Sequence, residues 1–347
     1  MALTGPHPHA RGPADRDSQA TEPAVLVLRA LGLGDALTGV PALRGLRRRF
    51  GGRRLVLAAD GPPAALLQTC GVVDAVVPTQ GLDGEPPGLR LAAVVGIGHT
   101  RHVAVNLHGR GPASHRLLLA GHPSTLLCFA NRHAWAAGGP RWDPAEHEVL
   151  RWCRLVEYAG GRCHPCDLRL STPTARAPMA GVEGYVVVHP GAASGSRRWP
   201  AARWARVARW LADRGRRVVL TGGPDERALA AAVAADAGLA PSASLAGRLS
   251  LPELCVLVAS AALVCCGDTG VAHLATAYGT PSVRLFGPTP PTAWGPLSDP
   301  GRHAVLWHGN GSGDPHGQWP DPALLRIGEA EVVTAAEALL AGQRWPG

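Results

Sequence analysis

The stretch AVLVLRALGLGDALTGVPALRGLRRRFGGRRLVLAAD, residues 24–60, decides the fold. It opens with five apolar residues in a row, too few for a helix and of the kind that a parallel sheet buries on both faces. A Gly-rich turn, Leu31-Gly32-Leu33-Gly34-Asp35, comes next, after which Leu37, Val40, Leu43, Leu46 and Phe50 recur at helical spacing. Pro41 predicts a late or kinked start for that helix. RRLVLAADGPP (53–63) holds a second buried strand that ends in a turn, and VDAVVP (73–78) is a third after a short helical stretch. Strands alternating with helices predict a parallel, doubly wound sheet.

The order repeats at YVVVHPGAASGSRRWPAARWARVARWLADRGRRVVLTGGPDE, residues 185–226: strand, Gly-containing loop, helix, Arg-Arg pair, strand. Trp204, Val207, Ala208 and Leu211 share one face of its helix. Helical stretches near 226–236 and 251–260, the strand ALVCC (262–266), the loop GDTG (267–270), the helix VAHLATAYG (271–279) and the strand SVRLF (282–286) continue the pattern. Two Rossmann-like domains are the economical reading. The expected division is a disordered lead-in over 1–22, a first domain over 23–172, a linker over 173–182, a second domain over 183–328 and a closing segment over 329–347 with the helix EVVTAAEALL.

Composition agrees and excludes other classes. With 347 residues, 46% apolar and 17% charged, the chain suits about two domains of roughly 150 residues. No apolar run approaches the roughly 20 residues of a membrane span, and the polar, Pro-rich N-terminus has no signal-peptide core, so a cytoplasmic location is expected. All 34 basic residues are arginine, a mark of codon bias in a GC-rich genome. The net charge of +8 suits an anionic partner such as a nucleotide, but 5% aromatics is poor in stacking surface, so no nucleic-acid partner is expected. Eight cysteines do not form the framework of a small secreted domain, and Cys163-His164-Pro165-Cys166 lacks the second CxxC of a zinc site; no metal is expected.

Ligands of open α/β sheets sit beyond the carboxyl ends of the strands, which directs attention to three loops. In the first, Asp35 is either a helix N-cap or, facing an interdomain cleft, a general base for a hydroxyl. The second runs His189-Pro190-Gly191-Ala192-Ala193-Ser194-Gly195-Ser196-Arg197-Arg198-Trp199-Pro200; it is a surface loop or a diphosphate cradle in which small residues admit a ligand and arginine supplies charge. The third, Gly267-Asp268-Thr269-Gly270-Val271-Ala272-His273, enters a helix whose N–H groups favour an anion; read plainly, Asp268 would cap that helix and His273 would be a core histidine. On the first domain, the polar loop with Asn106, His108, Arg110 and Ser114 is either a plain turn or, together with Gly34, a site for the hydroxyls of an acceptor. Arg44, Arg47, Arg48, Arg49, Arg53 and Arg54 form an acid-free cluster, either a solvated face or a peripheral contact for anionic membrane.

Taken together, VLVLRALGLGDALTGVPALRGLR, VVVHPGAASGSRRWP, VVLTGGPDE, GDTGVAHLATAYGTPSVRLFGPT and LLRIGEAEVVTAAEALL make the sequence resemble glycosyltransferase family 9, the ADP-heptose:lipopolysaccharide heptosyltransferases. The resemblance implies a GT-B fold, two facing Rossmann-like domains with the donor nucleotide held by the second. It also implies inverting, metal-independent sugar transfer from a nucleotide diphosphate donor, ADP-linked in the family, with no cofactor beyond that co-substrate. On this mapping Asp35 is the base, Asp268, Thr269, Gly270 and His273 form the donor-binding turn, and Glu226 matches an acidic ribose contact. His189, Gly191, Ser194 and Ser196 line the cradle, and Arg197 or Arg198 stands in for a phosphate-binding lysine. The acceptor stays open between a glycan, a lipid-linked sugar and a small molecule, and the chain is expected to be a monomer. A nucleotide-sugar epimerase of the same fold and a non-catalytic nucleotide-sugar binding protein are the competing readings.

Overall fold

In the computed structural model, residues 24–79, 102–134 and 138–345 are described; the lead-in predicted over 1–22 lies outside them. Ala24–Leu28 (β1) is buried at all of its positions, as a central parallel strand requires. The helix predicted after it is divided into Leu33–Thr38 (α1) and Val40–Arg49 (α2), with the break at Gly39 and Pro41 in the first turn of α2. Arg54–Ala58 (β2), Gly61–Thr69 (α3), Ala75–Val77 (β3), Val103–Asn106 (β4), Ala113–Leu119 (α4), Thr125–Leu127 (β5) and Glu148–Tyr158 (α5) follow.

A stretch without helix or strand leads into Val186–His189 (β6), Ala201–Asp213 (α6), Val218–Leu220 (β7), Arg227–Asp236 (α7), Leu251–Ala259 (α8), Leu263–Gly267 (β8), Gly270–Tyr278 (α9) and Ser282–Phe286 (β9). Pro291–Trp294 (α10), His303–Trp307 (β10), Pro322–Leu325 (α11) and Glu329–Leu340 (α12) complete the described chain. Trp204, Val207, Ala208 and Leu211 of α6 are buried as their spacing requires, each large apolar side chain contributing about 1.5–3 kcal/mol.

Both sheets are parallel, in the orders β3-β2-β1-β4-β5 and β10-β9-β8-β6-β7. Strand order reverses direction between β1 and β4 in the first and between β6 and β8 in the second. At such a switch point adjacent connections leave to opposite faces and open a crevice above the strand ends. The crevice of the first sheet is bordered by the loops after β1 and β4, which carry Asp35 and His108; that of the second is bordered by the loops after β6 and β8, which carry Arg197 and Asp268.

One apolar cluster runs from α1, α2, α3 and α5 through to α8 and α9, joining the two sheets. A second cluster fills the far face of the second sheet under α6 and α12, and a third the far face of the first. No helix among the described residues is long and apolar enough to cross a membrane.

Candidate active site where the two sheets face

Asp35 is the third residue of α1, whose N-cap is Gly32; the Asp35 side chain makes no cap bond. The capping alternative is thereby corrected, because the helix begins two residues before Asp35 and its carboxylate is left free to face the cleft. Behind it lies Arg29, just past the end of β1 and almost fully buried. The Arg29 guanidinium donates to the backbone oxygens of Asp35 (2.6 Å) and Leu107, to Thr38 Oγ1 (3.1 Å) and to Glu148 Oε1 (3.1 Å). One of its nitrogens stands 3.8 Å from Asp35 Oδ1. Burial raises the Asp35 carboxyl above the ordinary aspartate value; Arg29 works against the rise, Glu148 adds to it, and the backbone N–H and His108 oppose it.

Across the cleft, α9 begins against α1. A Cβ on Gly34 would sit 3.1 Å from His273 Cδ2, and one on Gly270 would sit 2.9 Å from Leu33 Cβ, so glycines at both positions allow this approach. Thr269, rather than Asp268, caps α9, its hydroxyl accepting the Val271 N–H at 3.3 Å. Asp268 is buried below the turn, and its carboxyl is pushed up to about 6, first by burial; Arg197 and Arg284 lower it and Asp35 raises it further. Two carboxylates, one from each sheet, therefore feel each other across the cleft. His273 is driven down to about 3, mainly by burial with Arg284 and His147 adding, so it is a neutral ring at physiological pH.

The loop after β6 crosses the ends of β8 and β9. Arg197 Nη1 donates to the Asp268 backbone oxygen at 3.4 Å and lies 4.0 Å from Oδ2, while Arg197 Nε is buried without a partner. Arg198 is exposed and donates to Ala192 O at 2.8 Å, so the structure brings Arg197, not Arg198, to the Asp268 turn. Ser196 Oγ is buried and unpartnered, and Ser194, half-buried, makes no cap bond at the short turn that follows it. His189 Nδ1 is 3.0 Å from Thr221 Oγ1 and Nε2 is 3.9 Å from Glu226 Oε2; burial holds this ring below the usual histidine value, against the pull of Glu226. Glu226 also accepts the Gly223 N–H at 2.8 Å and packs so tightly on Gly191 that a Cβ there would fall 2.0 Å from Oε1.

Asn106 does not face the cleft. Its side chain is fully buried and spent within its own loop, donating to Ser114 Oγ (2.8 Å) and His115 Nδ1 (2.6 Å) and accepting from His108 N (2.9 Å). It shapes the loop that presents His108, whose Nδ1 is buried without a partner and whose charges of first influence are Arg29 and Asp35. Arg110 is exposed at the rim.

The arginine cluster, acid-free in sequence, meets acids in space. Arg44 and Arg48 pair with Asp167, Arg47 pairs with Asp74, and Arg49 donates to Ala159 O; Arg48, Arg49, Arg53 and Arg54 are the exposed members. Cys163 is buried while Cys166 is exposed and donates to Leu297 O; among the described residues no group of three or more His, Cys, Asp or Glu is placed to hold a metal ion. Arg29 and Glu148, at the base of the site, were not singled out by sequence reasoning. Glu148 had a readable signal in Val149, Trp152, Cys153, Leu155 and Val156, which recur at helical spacing behind it.

Two parallel sheets whose switch points face each other across a cleft define the GT-B class. Solved structures share it: a glycosyl transferase family 9 protein from Veillonella parvula superposes with a TM-score of 0.76 at 20% identity, covering 92% of this chain and 98% of that one. ADP-heptose lipopolysaccharide heptosyltransferase II of E. coli gives 0.72 at 20%, with 92% and 99% covered. Residues 130–312 match glycosyltransferase family 9 (heptosyltransferase), and the chain belongs to that family. Lipopolysaccharide heptosyltransferase 3 of Escherichia coli is 35% identical over 167 residues, 46% of this chain and 48% of that protein. The chain thus spans about half the length of the first curated relatives it matches.

Proposed function

We propose that the protein transfers a sugar, heptose-like and carried on a nucleoside diphosphate, to a hydroxyl of a glycan, glycolipid or small-molecule acceptor, with inversion and without metal. ADP is the proposed nucleotide, by analogy with ADP-heptose lipopolysaccharide heptosyltransferase II of E. coli and with the E. coli heptosyltransferase WaaC, whose structure holds ADP. The second domain holds the donor. Arg197 and the positive N-terminal end of α9 face the diphosphate and offset the charge that builds on it as the glycosidic bond breaks. Glu226, beside Gly191, takes the ribose hydroxyls.

From the opposite side Asp35 accepts the proton of the attacking hydroxyl; attack on the face away from the diphosphate inverts the anomeric centre. His108, Arg110, Ser114 and Gly34 border the acceptor's approach. The chemistry is placed in the cytoplasm, with Arg53 and Arg54 free for contact with anionic lipid. The observation that carries this reading is the opposition of a partly buried carboxylate on one switch point to an arginine and a helix N-terminus on the other.

Calorimetry with ADP, UDP and GDP, paired with turnover of ADP-heptose, tests it. Asp35→Asn should bind ADP as the wild type does yet lose at least about a hundredfold in turnover, the lower range for general-base catalysis. Arg197→Ala should lose ADP affinity about tenfold or more, as expected for a charge-assisted phosphate bond. Undiminished turnover by Asp35→Asn would end the assignment of the base, and absence of binding by any of the three nucleotides would end that of the donor site.

A further inference from the structure

We infer that Arg29, held by Glu148, is a positioning residue that fixes the Asp35 carboxylate at the first switch point. The inference rests on reading Asp35 as the base. Arg29 follows a strand of five apolar residues, where an apolar side chain would pack at no desolvation cost; a buried ion pair is poor value as a source of stability alone. Its geometry is instead that of a clamp. One guanidinium ties α1, through Asp35 O and Thr38 Oγ1, to the residue after β4, through Leu107 O, so the two segments that border the crevice share one fork. Thr38 Oγ1 adds a bond of 3.0 Å to the same Asp35 oxygen.

The surroundings are built for this side chain. A Cβ on Gly39 would lie 2.8 Å from Arg29 Cδ and Nε, so the break between α1 and α2 falls where the arginine passes. The guanidinium stacks 5.0 Å from the centre of the Trp152 ring. Glu148 receives Arg29 on Oε1, which also accepts Trp152 Nε1 at 2.6 Å, and Arg151 on Oε2, so every lone pair that faces the cluster is used. At 3.8 Å the Asp35 carboxylate is close enough for its charge to be favoured and far enough that neither oxygen is consumed by the arginine. A bidentate pair would hold the carboxylate too well for it to take a proton.

The charged and titratable groups that face Asp35 are Arg29 from just after β1, Glu148 from α5, His108 from the β4 loop and Asp268 from the second domain, with His273 beside Gly34. Substitutions at the first two have opposite signs. In protein labelled with 13C at the aspartate carboxyl carbons, with the Asp35 signal assigned by its loss in Asp35→Asn, Arg29→Met should raise the titration midpoint of Asp35 by about one pH unit or more. Glu148→Gln, which removes a like charge and keeps an acceptor for Arg29, should lower it. Arg29→Lys should restore the midpoint but not the fork, so kcat with ADP-heptose falls while the donor KM holds.

An Asp35 midpoint unmoved by Arg29→Met in folded, ADP-binding protein would overturn the inference. Should Arg29→Met fail to fold, a midpoint that stays or rises in Glu148→Gln overturns it equally. The titration needs no turnover, so its failure is distinct from failure of the base assignment, which Asp35→Asn kinetics decide.

Discussion

Asp268 shows at the level of one residue what burying a carboxyl costs a fold. A carboxyl whose native value stands near 6, against 3.8 when unperturbed, resists ionisation in the folded state. The sign follows from linkage: the unfolded chain ionises first, so the penalty is full above about pH 6, declines as the pH falls and is gone below the unfolded value. By the conversion of pKa to free energy it amounts to roughly 3 kcal/mol at neutral pH. Asp268→Asn should therefore raise the melting temperature at pH 7.5, leave it nearly unchanged at pH 4 and impair turnover; equal melting of the two proteins at pH 7.5 would contradict the burial argument. Gain of stability with loss of activity is the expected mark of a strained functional group.

At the scale of the element, the short helix α9 starts at the turn proposed to hold the donor, and Thr269 rather than Asp268 caps it by accepting the Val271 N–H. Thr269→Ala should cost about 1 kcal/mol in denaturant unfolding, a usual value for a lost cap. The strands flanking these loops were legible because AVLVL and ALVCC are unbroken apolar runs, YVVV is one closed by His189-Pro190, and SVRLF keeps Val283, Leu285 and Phe286 around its single arginine before Gly287-Pro288. Elements without such contrast were passed over. β10 is a lone HAVLW beside a Gly-Pro-rich region, β5 has only three residues, and α5 follows a Trp- and Pro-containing stretch that masks its start. The missed α5 hid Glu148, and with it the partner of Arg29. Arg29 itself stands inside the stretch that decided the fold, yet in a chain whose every cation is arginine its type carries no signal; burial singles it out, and burial is a property of the assembled sheet. Asn106 failed in the converse way, since a polar residue after a strand looks the same whether it serves a ligand or its own loop.

For the whole molecule, histidines dominate the response to acid. His108, His115, His147, His189, His273 and His303 are all held below the usual histidine value, burial being the first cause in each. The unfolded chain takes up protons on these rings before the native state does, so stability is full above about pH 6.5 and falls as the pH drops through that value. This outweighs the opposite trend of Asp268, and the protein should melt at a lower temperature at pH 5 than at pH 7.5. A scan in which acid stabilises the wild type would contradict this.

His147 belongs to that set, and its Nε2 lies 3.0 Å from Gly295 O, spanning from the first sheet's layers to the second's. It lies over the apolar cluster that passes unbroken between the sheets, through Leu37, Leu66 and Leu67 on one side and Val258, Val271 and Leu274 on the other. Pulling the halves straight apart would wet that layer at about 25 cal/mol for each Å² exposed. Sliding α1 along α9 and α3 along α8 keeps it dry, and packed helices permit small displacements of this kind. Relative motion of the two halves should therefore take the form of shear, with a ratchet of interlocked side chains in place of a swinging door.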